Sequence, residues 1–242
     1  MDLQLKDKNV VITGGSKGIG KATVDQFIAE GANVYFCARD IKGIDSVLDQ
    51  YSGLTDKLHG KAIDACDSQS IAQWFQAIGD IDVLVLNVSA LSGDWNQSIE
   101  VDLQSTIDTV QAALPYLGTG SVITYVSSKA ASFATPGFES YGAIKSALAH
   151  YMKSLSKTVI TRGIRVNVVS PGDTFVKDGF WDVIKQNSPE VYQATVDSNP
   201  MGRLCRPDEV ASSVVFLSSP RSSFTSGANL YVDGAATNHV QF

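Results

Sequence analysis

With 242 residues, 44% of them hydrophobic, the chain can bury a full core as one domain spanning 1–242. A net charge of −6 with no Lys/Arg-rich run excludes a nucleic-acid surface as the expectation, and no apolar stretch reaches the length of a membrane span. The opening residues carry no signal-peptide pattern, and Cys37, Cys66 and Cys205 match neither a disulfide framework nor a zinc spacing, so a cytoplasmic protein without a metal site is expected.

The first β-rich run, Asn9 to Ile12, leads into a glycine-rich turn and then a helical stretch with Ile19, Thr23, Phe27 and Ile28 on one face. Gly31 stops that helix, and a second run covers Asn33 to Cys37. A weaker run near Leu58 to Ile63 is followed by Ser68, read as an N-cap, and by Ile71, Phe75 and Ile78 at helical spacing. Further runs lie at Asp82 to Leu86, Ser121 to Val126, Ile164 to Val169 and Asn229 to Val232, with Pro207-Asp208-Glu209 opening a helix before the last. Most of these seven runs are continuously apolar, as parallel strands covered on both faces must be. Strands alternating with helices give an α/β doubly wound parallel sheet with helices on both faces.

The turn after the first strand reads Thr13-Gly14-Gly15-Ser16-Lys17-Gly18-Ile19-Gly20. Glycines there permit a tight turn and let the backbone approach a pyrophosphate seated on the amides of the following helix. The second strand ends Cys37-Ala38-Arg39-Asp40, where a ribose-binding acid would stand. Arg39 comes first, and Lys17 can point to the same place. Two cations suit the 2′-phosphate of NADP. Asp40 competes: it can take a ribose hydroxyl, as in an NAD enzyme, or cap the next helix.

Thr13-Gly14-x-x-x-Gly18-Ile19-Gly20 together with Tyr141-x-x-x-Lys145 resembles the short-chain dehydrogenase/reductase family, and the likeness runs from Lys8 to about Gly234. Asp64, Asn87, Ser128, Arg165-Val166-Asn167, Pro171-Gly172, Gly202-Arg203-Leu204 and Val232-Asp233-Gly234 are further matching pieces. The Tyr-x-x-x-Lys spacing occurs twice. In a strand, Tyr125 and Lys129 would stand roughly 13 Å apart. In an Ala-rich helical segment, Tyr141 and Lys145 would be about 5–6 Å apart at Cβ, so only they can share a site.

The resemblance implies a Rossmann-like single domain that moves a hydride between NADP(H) and a ketone or secondary alcohol. Tyr141 would be the proton donor and acceptor, Lys145 the cation favouring its phenolate, and Ser128 the hydrogen-bond donor to the substrate oxygen. Lowering a phenol pKa by about 2–3 units takes roughly 3–4 kcal/mol of differential stabilisation. Strand alternation points Ser127 the opposite way from Ser128. The implied cofactor set is Gly14, Ser16, Lys17, Gly18, Ile19, Gly20, Arg39, Asp64, Ala65, Asn87, Val88, Tyr141, Lys145, Pro171, Gly172 and Thr174. Asp64 would meet the adenine amine. Pro171, Gly172 and Thr174 would border the nicotinamide carboxamide.

Two departures stand out. Asp102 occupies a position that usually carries asparagine, where it can still hold a water near the lysine, but its charge would push the tyrosine pKa back up. Asn87-Val88-Ser89-Ala90 replaces the usual Asn-Asn-Ala-Gly, and a short connection from there to Asp102 suggests an open mouth on that side. The segment from Asp173 to Pro200, with Phe175, Phe180, Trp181, Val183, Ile184 and Tyr192, reads as a lid over an apolar substrate. The family's habits imply a homotetramer, or a dimer, with Tyr151, Leu155 and the tail after Gly234 at contacts. An NAD-dependent dehydrogenase and a non-catalytic NADP sensor are the alternatives.

Overall fold

The computed structural model describes residues 2–238. Seven parallel strands, β1 (Asn9–Thr13), β2 (Asn33–Ala38), β3 (Leu58–Ala62), β4 (Ile81–Leu86), β5 (Leu117–Val126), β6 (Arg165–Pro171) and β7 (Asn229–Val232), form one sheet. Their order is β3-β2-β1-β4-β5-β6-β7, so the chain reverses its direction of growth between β1 and β4. The helices are α1 (Gly18–Ala29), α2 (Ile41–Gln50), α3 (Ser68–Ile78), α4 (Trp95–Gln97), α5 (Ser105–Ala113), α6 (Glu139–Val159), α7 (Phe180–Asn187), α8 (Pro189–Ser198) and α9 (Pro207–Ser218).

The continuous apolar runs arise because the sheet is covered twice. In β1, Val10 and Ile12 pack with Val24 and Phe27 of α1, Ile44 of α2 and Val210 of α9. Val11 points the other way, among Phe75 of α3, Val110 of α5 and Leu148 of α6. From Val10 to Thr13 both faces of this strand are buried, which rules out polar alternation there.

The turn residues act largely as expected. Gly31 has φ 80° just past α1, a left-handed conformation that suits glycine. Ser68 is not the cap of α3; Asp67 is, its carboxylate accepting from the Ser70 amide at 3.0 Å. Leu155 is also misplaced by the sequence reading, because it is buried in the chain's own core. Tyr151 packs against the same cluster, and the tail 239–242 lies outside the described residues.

Arg165, at the start of β6, fastens the far end of the sheet. Its buried guanidinium donates to the carbonyls of Leu217 and Ser219 at 3.0 Å each and of Thr225 at 2.9 Å. These bonds tie the end of α9 and the approach to β7 onto the strand. Arg165→Met keeps the stem but removes the donors, and is expected to cost about 2–3 kcal/mol. A lower urea midpoint at unchanged slope would register that loss.

Candidate active site

The site lies at the carboxyl ends of the strands, beside the reversal between β1 and β4. Gly14 and Gly18 have φ 72° and 56°, in the left-handed region. The amides of Gly14 and Gly15 donate to the Cys37 carbonyl at 2.9 and 3.0 Å, laying the turn across the head of β2. A Cβ on Gly20 would stand 2.0 Å from the Gly14 carbonyl oxygen and 2.5 Å from Asn87 Nδ2. Asn87, next after β4, donates from Nδ2 to that same carbonyl at 3.1 Å, and its amide donates to Thr13 Oγ1 at 3.1 Å. Val88 lies against Gly14. Lys17 caps α1 without a side-chain bond, so the first amides of the helix stay open to an anion, with Ile19 in the first turn. This close-packed glycine cradle fits a dinucleotide pyrophosphate.

At the carboxyl end of β2, Arg39 and nearby Lys17 are both exposed, and among the described residues neither forms an ion pair. Asp40 caps α2, accepting from the Lys42 amide at 3.1 Å. Ser16 sits against Gly43 beside Asp40. Asp64 is exposed and accepts from the Cys66 amide at 3.0 Å, while Ala65 between them is buried.

At the other end, Ser128 follows β5 and accepts from the Ala130 amide at 3.1 Å, starting the short turn Lys129–Ala131, and its hydroxyl faces the Tyr141 phenol. Ser127 is buried, its hydroxyl without a hydrogen-bond partner among the described residues. Tyr141 and Lys145 fall one turn apart near the start of α6. Lys145 is 2% exposed, and its ammonium donates to the Val126 carbonyl at 3.4 Å. It lies 5.6 Å from the Tyr141 ring centre and 5.0 Å from that of Tyr125. Tyr125 is therefore core packing, as its strand position predicts, but it also floors the lysine, a role that spacing alone did not reveal.

Asp102 is 1% exposed, with Oδ1 3.5 Å from Lys145 Nζ and Oδ2 accepting from the Ala90 amide at 3.1 Å. It reaches inward from a π-helical stretch, Ser98–Gln104, that joins α4 to α5. Such wide turns re-aim side chains and recur at functional sites. The Ala90 bond and the Ser92 carbonyl, which accepts from Ser98 and Ser140, pin the short connection against α6.

Burial pushes the Tyr141 phenol above its ordinary range; Lys145 and the Ser128 hydroxyl pull it back, while Tyr125 and the Asp102 charge push it further up. An alcohol oxidation in which Tyr141 takes the proton would need phenolate, so its rate would rise as pH passes the phenol pKa. Removing the Asp102 charge removes one raising influence. The rising limb of the oxidation profile is therefore expected at lower pH in Asp102→Asn than in the parent, and coincident profiles would refute this.

Pro171 ends β6 and Gly172 packs against Asp233; a Cβ there would meet the Asp233 backbone at 2.9 Å. The Thr174 hydroxyl donates to the Gly172 carbonyl at 3.0 Å, folding that turn on itself. Val176 packs on Gly18, so the segment after Asp173 touches the glycine turn, a contact with no signature in the sequence.

The fold and the arrangement at the head of its sheet are those of a Rossmann-fold oxidoreductase. A family profile described as Enoyl-(Acyl carrier protein) reductase matches residues 14–237. Isoepoxydon dehydrogenase patN of Penicillium expansum is 35% identical, with 98% of each chain covered. The 3-oxoacyl-[acyl-carrier-protein] reductase FabG of Thermotoga maritima is 31% identical, covering 96% of this chain and 98% of its own. L-Sorbose reductase from Gluconobacter frateurii, solved with NADPH and L-sorbose, aligns with TM-score 0.88 at 25% identity over 99% of this chain and 100% of that one. An NADPH-bound short-chain oxidoreductase of Pseudomonas aeruginosa PAO1, said to contain an atypical catalytic center, gives 0.88 at 27% over 98% and 99%. The chain belongs to the short-chain dehydrogenase/reductase family.

Proposed function

We propose that the chain is an NADP(H)-dependent carbonyl reductase that interconverts a ketone and a secondary alcohol, with a preference for apolar substrates. The observation that carries this reading is the buried Lys145 ammonium one helical turn below Tyr141, at the same end of the sheet as Ser128 and the glycine cradle. When bound, NADPH supplies the hydride. Gly14, Ser16, Gly18, Ile19 and Gly20 would hold its pyrophosphate side, with Asn87 and Val88 behind them. Asp64 and Ala65 would border the adenine, and Pro171, Gly172 and Thr174 the nicotinamide.

In the reductive direction Ser128 donates a hydrogen bond to the carbonyl oxygen. Tyr141 then gives that oxygen its phenolic proton as the carbon is reduced. Lys145 favours the phenolate left behind, and Asp102 holds Lys145 in place at a cost in Tyr141 acidity. NADP is the cofactor that fits the adenosine end: Arg39 and Lys17 are exposed cations there with no ion pair among the described residues, whereas Asp40 caps a helix. Two solved relatives with NADPH support the same choice.

The lid, about 173–200, brings aromatic surface to the site. Phe138, three residues before Tyr141, meets Phe180 edge-on at 5.4 Å, and Phe180 meets Trp181 at 5.3 Å. Such rings favour an apolar or bulky ketone. A homotetramer, or a dimer, in the cytoplasm is the setting we propose; no helix among the described residues is long and apolar enough to cross a membrane.

A second reading, an NAD-dependent alcohol dehydrogenase, is favoured by one neighbour: 7α-hydroxysteroid dehydrogenase, solved with NADH, aligns with TM-score 0.88 at 26% identity. Following NADPH and NADH absorbance with a panel of activated ketones separates the two. We expect turnover with NADPH that falls by about 100-fold or more in Tyr141→Phe. Faster turnover with NADH would favour the second reading, and a fully active Tyr141→Phe would overturn both. In Arg39→Ser, KM for NADPH is expected to rise about tenfold while KM for NADH changes little.

A further inference from the structure

One ion pair near the site has no part in the chemistry above. Lys129 directly follows Ser128 at the head of β5, and Asp173 directly follows Gly172 at the head of β6. Their side chains pair, so the contact spans from the proposed oxygen-binding serine to the turn proposed to border the nicotinamide. The two side chains are 28% and 15% exposed, which places the pair at the rim and partly out of water. Asp173 is fixed from its own side as well. Its carbonyl accepts from the Cys205 amide at 2.8 Å, and the Phe175 amide donates to the Cys205 carbonyl at 2.9 Å.

The lid adds a second engaged cation. Lys185 lies over the rings of Phe175 and Tyr192, 5.5 and 5.3 Å from their centres. The cation next in sequence to Ser128 is thus neutralised before any substrate arrives. A freed lysine ammonium on a rim of low dielectric would attract an anion strongly, whereas a paired one offers little net field. An entering carboxylate would also meet the Asp173 carboxylate.

We propose that Asp173 masks Lys129, and that this pair makes the site select neutral carbonyl compounds over those bearing a carboxylate beside the reacting carbon. The proposal rests on the reductase reading and adds a specificity-determining pair to it. Without its acid, the flexible lysine stem could bring the ammonium over Ser128, where it would act as an anion receptor.

Benzoylformate and its methyl ester, similar in shape and different in charge, are suitable probes. With NADPH, the parent protein is expected to favour the ester in kcat/KM. Asp173→Asn should raise the acid-to-ester ratio about tenfold, and Lys129→Met/Asp173→Asn should return it to the parent value. An unchanged ratio in Asp173→Asn, or a rise that survives the loss of Lys129, would overturn the mask. Binding of benzoate against benzamide to the NADP-loaded proteins reads the same ratio without turnover. If neither ketone is reduced, the reductase reading suffers, while the binding ratio still decides the role of Asp173.

Discussion

Much of the upper half of this molecule is arranged around one unfavourable act, the burial of the Lys145 ammonium. An isolated charge at that depth would lose several kcal/mol of hydration. It is held by the Asp102 carboxylate, the Val126 carbonyl and the faces of two tyrosine rings. Those groups come from the π-helical stretch, the end of β5 and α6, so three elements must be in register before the charge is accommodated. Removing one member leaves the others facing a buried, undercompensated charge.

Asp102 links two jobs that are commonly separate. One oxygen faces the lysine, and the other holds the Ala90 amide and with it the short connection after Asn87. A neutral amide could accept from Ala90 equally well, so the loop alone does not call for a charge. The carboxylate charge adds a small upward push to the Tyr141 phenol, on top of burial and against the pull of Lys145 and Ser128.

Features that depend on local pattern were legible in the sequence. The apolar runs of β1, β4 and β5 announce two covered faces, and the glycine turn announces close backbone approach. Helical against strand spacing separates Tyr141 and Lys145 from Tyr125 and Lys129 correctly. What was not legible depends on tertiary aim. The cap moved from Ser68 to Asp67 because either side chain can bond a nearby amide. Leu155, which the family's assembly habits place at a contact, is instead claimed by the chain's own core. Tyr125 under Lys145, Val176 on Gly18 and Lys129 with Asp173 join residues from separate elements, and no periodicity encodes such contacts.

The strand order also governs how the protein can be made. By residue 86 the chain has produced β1 to β4, which are neighbours in the sheet and already include its central pair. Each later strand, β5, β6 and then β7, adds to the one growing edge in the order in which it leaves the ribosome. Parallel pairing over long loops is slow, but here no strand has to insert between two already joined. The sheet is thus suited to assembly during synthesis, with the β6 end of the active site completed only in the final third of translation.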